Sequence, residues 1–368
     1  MIPPAKPIME KEEKEAVLKV LESGMIAAGP KVKELEEKFA QLCGTKHAVA
    51  VSSGTSALHT AMYAAGIKQG DEVITTPFTF VATANSIVMQ NARPVFADIR
   101  EDFFTIDAND VLERITPKTK AILPVDLYGQ PYDVKAIREI AEDHNLKIIE
   151  DAAQSVNASF EGKKTGALGD IAAFSLYATK NITSGEGGVL TTDNDEYAEL
   201  ARRFRHHGQS EKTRYEYYDI GYNYRMTDIQ AAIAIEQIRK VDEFTRARQK
   251  NAAMLDRKID QIKGLKKPAT MKGATHVYHQ YTIRVTEEFP KTRDELLSFM
   301  RERGIGCAVY YPKPLHLHPF FLKMGYKEGD FPVSERASRE VLSIPVHPAV
   351  TEEDMEIILK ALEESQNE

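Results

Sequence analysis

A single lysine, Lys180, stands between a short apolar run at residues 171–176 and a turn that contains Gly185, Gly187 and Gly188. An amine placed among apolar groups loses part of its preference for the charged form. A neutral lysine is a nucleophile toward aldehydes and forms a Schiff base with them. The glycines let the backbone fold closely around whatever the lysine holds. The ordinary alternative is a surface lysine on a flexible loop, which is the commoner fate of a lysine.

An aspartate, Asp151, ends another apolar run, at residues 146–149. A carboxylate in that position is partly desolvated and requires a cationic or N–H partner. The partner is either the N-terminus of a helix or the protonated nitrogen of a bound ring. Gln154, three residues further on, is placed to share that site.

A third candidate is VSSGTSAL, in which Gly54, Thr55 and Ser56 follow an apolar stretch and open a predicted helix. Unpaired backbone N–H groups and two hydroxyls at a helix N-terminus can bind an anion. The same residues also serve as an ordinary helix cap. Phe80, at the end of TTPFTF, offers a flat face on which a ring can stack.

An anion cradle, a desolvated carboxylate, a strand-end lysine and an aromatic face fit one cofactor well. Pyridoxal 5'-phosphate has a phosphate, a pyridine nitrogen, an aldehyde and a flat ring. A carboxylate that keeps the ring nitrogen protonated makes the ring an electron sink. We therefore expect pyridoxal phosphate as the cofactor.

The elements that must position these residues alternate between strand and helix from residue 47 onward. Predicted strands apolar on both faces indicate a parallel or mixed sheet covered by helices, an α/β fold. We predict strands at 47–53, 71–77, 94–99, 121–128, 147–153, 170–178 and 187–193, and helices at 10–22, 31–43, 54–66, 81–90, 107–115, 133–144 and 227–248. In such sheets ligands bind at the carboxyl ends of the strands, where the candidate residues lie.

The pattern of predicted strands and helices changes after about residue 255. Strands are predicted at 278–285 and 307–311, and helices at 292–304 and 351–365. This pattern indicates a smaller C-terminal α+β unit with its own sheet. We predict a large cofactor-binding domain at residues 1–250 and a small domain at 251–368.

Composition narrows the class of function. The 368 residues carry a net charge of −7, which does not favour nucleic acid as a partner. No apolar stretch is long enough to span a membrane, and the N-terminal segment lacks the pattern of a secretion signal, so we expect a cytoplasmic protein. Neither the two cysteines nor the paired histidines have the spacing of metal ligands, so we expect no metal site.

At this point the sequence resembles a known family, the DegT/StrS-type sugar aminotransferases, which are pyridoxal-phosphate enzymes of the aspartate aminotransferase fold. The matching segments follow the order of the family and cover nearly the whole chain. They are AAGPKVKELEEKFA, SSGTSAL, GDEVITTPFTFVAT, EDAAQS, FSLYATKNITSGEGG, GYNYRMTDIQAA and YYPKPLHLHP. The resemblance implies a large domain with a mixed, mostly parallel seven-stranded sheet and a smaller C-terminal α+β domain.

The resemblance also implies a role for each matching residue. Lys180 would be the Schiff-base lysine, Asp151 the partner of the ring nitrogen, Gln154 the neighbour of the ring hydroxyl and Phe80 the stacking face. The implied phosphate ligands are Gly54, Thr55, Ser56 and Ser175. Asn223 would reach the phosphate from the other subunit of a homodimer. The implied substrate contacts at the outer mouth are Arg225, Tyr310 and His316.

The implied reaction transfers an amino group from L-glutamate to a keto-sugar linked to a nucleotide diphosphate. Asn181-Ile182-Thr183 followed by GEGG is similar to relatives that act on the fourth sugar carbon, so the resemblance favours a 4-keto-6-deoxyhexose and a perosamine-type product. Relatives with histidine in place of the lysine are dehydratases, and Lys180 disfavours that branch. The sequence departs from the family at Val156-Asn157, directly after EDAAQS.

Several alternatives remain open at this stage. One is a 3-keto-sugar nucleotide aminotransferase. A second is another enzyme on the same fold, such as a desulfurase or an amino-acid aminotransferase with Arg225 as carboxylate ligand. A third is a regulatory protein that binds pyridoxal phosphate or a sugar nucleotide without turnover. A nicotinamide enzyme is disfavoured because SSGTSAL does not fit G-x-G-x-x-G.

Overall fold

A computed structural model describes residues 1–210, 213 and 215–367. The nine predicted helices are present among the twelve α-helices of the described residues, and the one predicted at residues 227–248 continues to Ile259. The twelve are α1 (Lys11–Ser23), α2 (Pro30–Cys43), α3 (Gly54–Ala64), α4 (Val81–Val88), α5 (Ala108–Glu113), α6 (Val134–Asp143), α7 (Asp195–Arg205), α8 (Asp228–Ile259), α9 (Arg293–Glu302), α10 (Pro319–Leu322), α11 (Pro332–Glu340) and α12 (Glu352–Glu364). Short 3-10 turns lie at Leu127–Gly129 and Leu315–Leu317.

The strands fall into one large sheet and two small ones. They are β1 (His47–Val51), β2 (Glu72–Thr75), β3 (Arg93–Phe96), β4 (Thr119–Leu123), β5 (Lys147–Asp151), β6 (Ser159–Phe160), β7 (Lys163–Lys164), β8 (Ile171–Ser175), β9 (Gly188–Thr192), β10 (Leu265–Lys266), β11 (Ala274–Thr275), β12 (Tyr281–Val285) and β13 (Val341–Ile344).

The large sheet has seven strands in the order β1-β9-β8-β5-β4-β2-β3. The pairs β2–β3, β2–β4, β4–β5 and β5–β8 are parallel, whereas β9 pairs antiparallel with both β1 and β8. The predicted α/β fold with a mixed, mostly parallel sheet is thereby confirmed. Every residue of β8 and β9 is buried, which explains why these strands read as continuous apolar runs.

Parallel pairing brings the carboxyl ends of β2, β5 and β8 to one edge of the sheet. β1 also ends at this edge, because β1 and β8 both pair antiparallel with β9 and so run in the same direction. The four segments that follow these strands therefore meet, although they are far apart in sequence. Helices α3 and α4 begin at this edge because each follows its strand after a short turn. The fold thus gathers the candidate residues at the carboxyl edge.

A separate hydrophobic core forms around the sheet β10-β12-β13. It contains Leu255 of α8, Ile283 of β12, Met300 of α9 and Leu362 of α12, and the N-terminal Ile2 packs into it. Helix α8 therefore contributes to the cores of both regions, since its first half packs with residues of the large sheet. The domain division at residues 250 and 251 stays a prediction.

The strand predicted at residues 307–311 is wrong. Within this segment Ala308 alone forms a bridge, with Ser343, and the chain then continues toward the edge of the large sheet. The sheet uses β13 instead, which the sequence analysis missed together with α7 and α11. Val341 to Ile344 is too short and too close to a helix to stand out as a strand.

The described part of the chain lacks both a membrane-spanning helix and a cluster of metal-binding side chains. None of its helices is long and apolar enough to cross a membrane. The described residues also contain no group of three or more histidine, cysteine, aspartate or glutamate side chains that could hold a metal ion.

Candidate functional site

A cavity of about 540 Å³ lies at the carboxyl edge of the large sheet. The segments that follow β1, β2, β5 and β8 line one side of it. His279, Gln280, Tyr310 and Tyr311, from the C-terminal part of the chain, line it as well. The residues that line the cavity are Ser53, Gly54, Thr55, Leu58, Thr79, Phe80, Ala82, Thr83, Val125, Asp151, Ala153, Gln154, Ser175, Tyr177, Thr179, Lys180, Glu186, His279, Gln280, Tyr310 and Tyr311.

Lys180 reaches this cavity from the turn that follows β8. Its backbone N–H donates to the carbonyl of Tyr177 across 2.9 Å, and the backbone N–H of Ser184 donates to Leu176 across 2.9 Å, which closes the turn. Burial lowers the pKa of the Lys180 amine to about 8, while the charge of Asp151 opposes that change. A far larger share of this lysine is therefore neutral near neutral pH than for an exposed lysine.

Asp151 is the last residue of β5 and is 3% exposed. Its Oδ2 accepts a hydrogen bond from the Thr83 hydroxyl across 2.7 Å, and its Oδ1 accepts one from the Ala153 N–H across 3.2 Å. Desolvation raises the pKa of Asp151, whereas these two donors and the positive charge of Lys180 lower it. A further cation in the cavity would stabilise the carboxylate.

The start of α3 forms a cradle against the end of β8. Ser53 caps the helix by accepting from the Ser56 N–H across 3.1 Å, and the Ser56 hydroxyl returns to the Ser53 carbonyl across 2.8 Å. A Cβ on Gly54 would lie 2.7 Å from Cβ of Ser175, and a Cβ on Gly188 would lie 2.2 Å from the Ser53 carbonyl oxygen. Glycine is thus required sterically at both positions.

Ser56 therefore has a different use from the one that the resemblance implied. Its side chain is committed to the helix cap and is buried, and it does not line the cavity. Gly54, Thr55 and Ser175 do line it. The first four backbone N–H groups of a helix have no partners within the helix. The first turn of α3 can therefore still donate hydrogen bonds to an anion.

Gln154 and Phe80 also lie in the cavity. The Gln154 Oε1 accepts from the Tyr128 N–H across 2.8 Å, so its Nε2 points the other way and donates to the Tyr311 hydroxyl across 3.2 Å. Phe80 is 56% exposed, which is unusual for so large an apolar ring. Its ring centre lies 6.4 Å from that of Tyr311, and both rings face the same space.

Four of the predicted residues lie outside the cavity of this chain, namely Ser56, Asn223, Arg225 and His316. Arg225 lines a neighbouring pocket and contacts Nδ1 of His206 across 2.8 Å. Asn223 is exposed and pairs with His206 through the backbone. Tyr310, the remaining predicted substrate contact, does line the cavity.

His316 needs correction as a substrate contact. Its ring is 0% exposed, its Nε2 lies 2.9 Å from Glu335, and it packs edge-on against Phe331. A side chain sealed in this way cannot meet a ligand at the mouth of the cavity. The residue stabilises the packing of the 315–335 region against the large sheet.

The departure from the family pattern at Asn157 lies outside the cavity too. Its Nδ2 donates to Asp242 and Thr245 of α8 across 2.9 and 3.0 Å, and its Oδ1 accepts from Lys164 across 2.6 Å. Asn157 adopts a φ of 72°. Asn157 therefore links the loop at residues 155–165 to α8 through hydrogen bonds.

Sequence reasoning missed several residues that line the cavity, among them Thr83, Tyr177, Glu186, Tyr311 and His279. Thr83, Tyr177 and Glu186 lie inside segments that the motifs covered, and their proximity to the candidate residues was the available signal. Tyr311 and His279 come from the C-terminal third of the chain. Tyr311 stands in the matching segment YYPKPLHLHP but was not singled out, and His279 lies in none of the matching segments. Their positions depend on how the C-terminal region docks on the large sheet.

The residues present fit pyridoxal phosphate. One half-buried amine of lowered pKa, one buried carboxylate, the N-terminal turn of a helix cleared by glycine and an exposed aromatic ring surround a single cavity. These are the groups that an aldehyde, a pyridine nitrogen, a phosphate and a flat ring require.

Comparison with known proteins agrees with this geometry. The profile of one aminotransferase family, DegT/DnrJ/EryC1/StrS, matches residues 7–363. The chain belongs to this family. The resemblance stated from the motifs is thereby confirmed, and with it an aminotransferase activity.

Three relatives of this aminotransferase illustrate the range of the family. A "pleiotropic regulatory protein" of Geobacillus stearothermophilus is 44% identical over 348 residues, which are 94% of this chain and 92% of the relative. A GDP-perosamine synthase of Caulobacter vibrioides is 39% identical over 362 residues, which are 98% and 97% of the two chains. DesV of S. venezuelae, solved in complex with a ketimine intermediate, has a TM-score of 0.94 and 35% identity, with 100% and 99% of the chains covered.

Proposed function

We propose that this aminotransferase uses pyridoxal 5'-phosphate to move an amino group from L-glutamate to a keto-sugar linked to a nucleotide diphosphate. The products are 2-oxoglutarate and an amino-sugar nucleotide. The observation that carries the proposal is that Lys180 and Asp151 line one cavity, each close enough for its charge to change the pKa of the other.

In this proposal the cofactor supplies an electron sink for the carbon that loses or gains a proton. Asp151 stabilises a positive charge on the ring nitrogen, and Thr83 holds the carboxylate in place. Gly54, Thr55 and Ser175 bind the phosphate, and Phe80 covers one face of the ring. Gln154 lies beside the ring hydroxyl.

Lys180 is the base and acid of both half-reactions. Its amine takes a proton from the donor carbon and returns one, a role that typically contributes about 10² to 10⁴ in rate. A pKa of about 8 suits that task, because both protonation states are accessible near neutral pH. Tyr310 and Tyr311 line the same cavity as this amine.

For the acceptor we propose a 4-keto-6-deoxyhexose nucleotide, which yields a perosamine-type product. Similarity to a perosamine synthase over almost the whole chain supports this choice. A 3-keto-sugar nucleotide is the alternative on the same chemistry, and a panel of acceptors separates the two.

A regulatory role is the second candidate, since a relative with 44% identity is named as a regulatory protein. A purely regulatory protein would not need a lysine of lowered pKa beside a buried aspartate. The intact pair therefore favours turnover, and any regulatory effect would follow from it.

We further propose a homodimer in which Asn223 and Arg225 approach the site of the partner subunit. Neither residue lines the cavity of its own chain. Next to them lies a surface rich in exposed large hydrophobic side chains, a feature typical of protein interfaces. Its members are Tyr215, Tyr217, Tyr218, Ile220 and Tyr222.

An absorbance experiment tests the function. The purified protein with pyridoxal phosphate should show a yellow band that bleaches with L-glutamate and returns with a suitable keto-sugar nucleotide. Lys180→Ala should lose both the band and turnover. A matched control is Lys272→Ala, which removes an exposed lysine outside the cavity and should behave as wild type.

The panel of acceptors should contain 4-keto and 3-keto 6-deoxyhexoses linked to GDP, UDP and dTDP. Recovery of the yellow band with 3-keto sugars alone would contradict the choice of carbon. A protein that never develops the band, or a Lys180→Ala variant with wild-type turnover, would refute the proposed function. Light scattering of the holoenzyme tests the dimer, and a monomer with full activity would exclude it.

A further inference from the structure

His279 lies in the wall of the Lys180 cavity and is 7% exposed. The proposed chemistry gives it no role. It is close enough to Lys180 for the charge of that amine to lower its pKa. What this buried imidazole offers to a ligand depends on which of its two ring nitrogens carries the hydrogen.

The hydrogen bonds around His279 define its tautomer. Asn181 donates from Nδ2 to the carbonyl of Val277 across 3.2 Å, which leaves its Oδ1 as an acceptor. That oxygen lies 3.2 Å from Nδ1 of His279, so Nδ1 carries the hydrogen. Burial, Lys180 and Arg248 lower the pKa of the ring well below its usual value, so the imidazole is neutral. Nε2 therefore has a lone pair and no hydrogen.

That lone pair has no partner among the described residues. The hydrogen bond to Asn181 engages the other ring nitrogen. Unlike Nδ1 of His316 and Nδ1 of His347, Nε2 of His279 is not sealed in the interior. The cavity is the open space that this residue lines. Nε2 thus presents an unused hydrogen-bond acceptor to a ligand.

The backbone around His279 is held firmly. Arg248 donates to the carbonyls of Tyr278 and His279 across 2.9 and 3.3 Å. The Val277 N–H donates to Gly129 across 2.9 Å, and the Gln280 N–H donates to Tyr128 across 3.2 Å. An acceptor fixed from both sides of the residue is preorganised to select a ligand.

We propose that Nε2 of His279 accepts a hydrogen bond from a hydroxyl group of the sugar and so selects a polyhydroxylated substrate. This inference rests on the proposed function and deepens it. A hydroxyl is a donor and meets the lone pair, whereas the carboxylates of glutamate are acceptors and would be repelled by it.

A second hydrogen-bond acceptor in the wall of the cavity supports the same proposal. The carboxylate of Glu186 also lines the wall, and Lys180 is the sole lysine or arginine among the described lining residues. A region with an imidazole lone pair and a carboxylate favours ligands that donate hydrogen bonds. Sugar hydroxyls meet this requirement, and the amino group of glutamate is consumed at the reacting carbon.

The variant His279→Asn separates the two nitrogens. An asparagine amide can still donate to Asn181, but it lacks an acceptor at the position of Nε2. We expect the KM for the keto-sugar nucleotide to rise about threefold to tenfold, as for the loss of one neutral hydrogen bond. The bleaching rate with L-glutamate and the yellow band should stay within about twofold of wild type.

The matched control is His276→Asn. His276 is 5% exposed, stacks on Tyr278 at 4.0 Å and lies three positions away, but it does not line the cavity. This variant should keep the wild-type KM for the sugar even if its melting temperature falls. A comparable rise in KM would show that disturbance of the segment, not the lone pair, causes the effect, and would overturn the proposal.

Two other results would overturn the proposal while the proposed function stands. One is an unchanged KM for the sugar in His279→Asn. The other is an equal loss in the glutamate half-reaction or in cofactor affinity, which would assign His279 to the donor or the cofactor. Failure of the wild-type protein to bleach with L-glutamate is a different result and counts against the proposed function itself.

Discussion

Thr83 and Asp151 are 68 positions apart in the chain, yet the hydroxyl of Thr83 donates to Oδ2 of Asp151 across 2.7 Å. Thr79 lies 3.0 Å from the same hydroxyl, so a short chain of threonines leads to the carboxylate. Both threonines follow β2, and Asp151 ends β5. The order of the parallel strands therefore fixes how the carboxylate is oriented in the cavity.

Thr83→Val should weaken cofactor binding, because it removes this donor while it keeps the shape of the side chain. The pKa of Asp151 is already raised by burial, and loss of the hydroxyl raises it further. Since a hydrogen bond to a charged group contributes about 1.5–3 kcal/mol, we expect at least about a tenfold loss of affinity for pyridoxal phosphate. Titration of the yellow band measures it.

Thr83→Ser is the matched control for this change. It retains the hydroxyl and should bind pyridoxal phosphate nearly as wild type. If the valine variant binds the cofactor as tightly as the serine variant, the hydrogen bond to Asp151 contributes nothing to binding.

The pH dependence of cofactor capture follows from the pKa of Lys180. Burial lowers this pKa from its usual 10.5 to about 8, so the neutral amine dominates above pH 8. The rate at which the cofactor-free protein develops the yellow band should rise about tenfold per pH unit below pH 8 and level off above it. Stopped-flow absorbance measures this rate.

The pH at which the rate levels off distinguishes a lysine of lowered pKa from one of ordinary pKa. An amine with an ordinary pKa would give a rate that still rises at pH 10. Asp151→Asn should shift the plateau to lower pH, because the charge of Asp151 raises the pKa of Lys180. A rate that does not change between pH 6 and 8 would contradict a base of lowered pKa at this position.

The sequence was sufficient to predict the shared cavity of Lys180 and Asp151. Both residues follow apolar runs, and the carboxyl ends of neighbouring parallel strands must meet at one edge. β5 and β8 are indeed adjacent in the sheet. Short-range patterns of this kind determined the strands of the large sheet and most of its helices.

Tyr311 and His279 could not be predicted in the same way. Each reaches the cavity because the C-terminal region docks against the large sheet, through contacts between residues about a hundred or more positions apart. His316 illustrates the opposite case. Its motif suggested a ligand, but its burial beside Glu335 depends on packing that no local pattern encodes.

Glu150→Ala should strongly destabilise the fold. The side chain of Glu150 is 0% exposed and accepts hydrogen bonds from the N–H groups of Gly166, Leu168 and Gly169 across 2.9, 3.2 and 3.3 Å. Alanine would leave two buried donors, of Gly166 and Leu168, unpaired at about 1–3 kcal/mol each, and the partly buried donor of Gly169 at less, so we expect a loss of roughly 3–5 kcal/mol. Urea denaturation measures the free energy of unfolding.

Glu142→Ala serves as the comparison, since Glu142 is exposed on α6. That change should alter the free energy of unfolding by less than about 0.5 kcal/mol. A Glu150→Ala protein as stable as Glu142→Ala would mean that water or a rearranged loop replaces the carboxylate.

Gly54→Ala should damage both stability and cofactor binding, because the cradle has no room for a methyl group. The added Cβ would lie 2.7 Å from Cβ of Ser175, far inside van der Waals contact. Forcing α3 away from β8 should cost roughly 1–3 kcal/mol and reduce the affinity for pyridoxal phosphate about tenfold or more.

Adding Ser175→Gly removes the clashing atoms. The double variant should regain most of the lost stability, but not the contribution of the Ser175 hydroxyl to phosphate binding. Urea denaturation and cofactor titration on the three variants measure these effects. If Gly54→Ala matches wild type in both assays, α3 can move freely and the cradle is not tightly built.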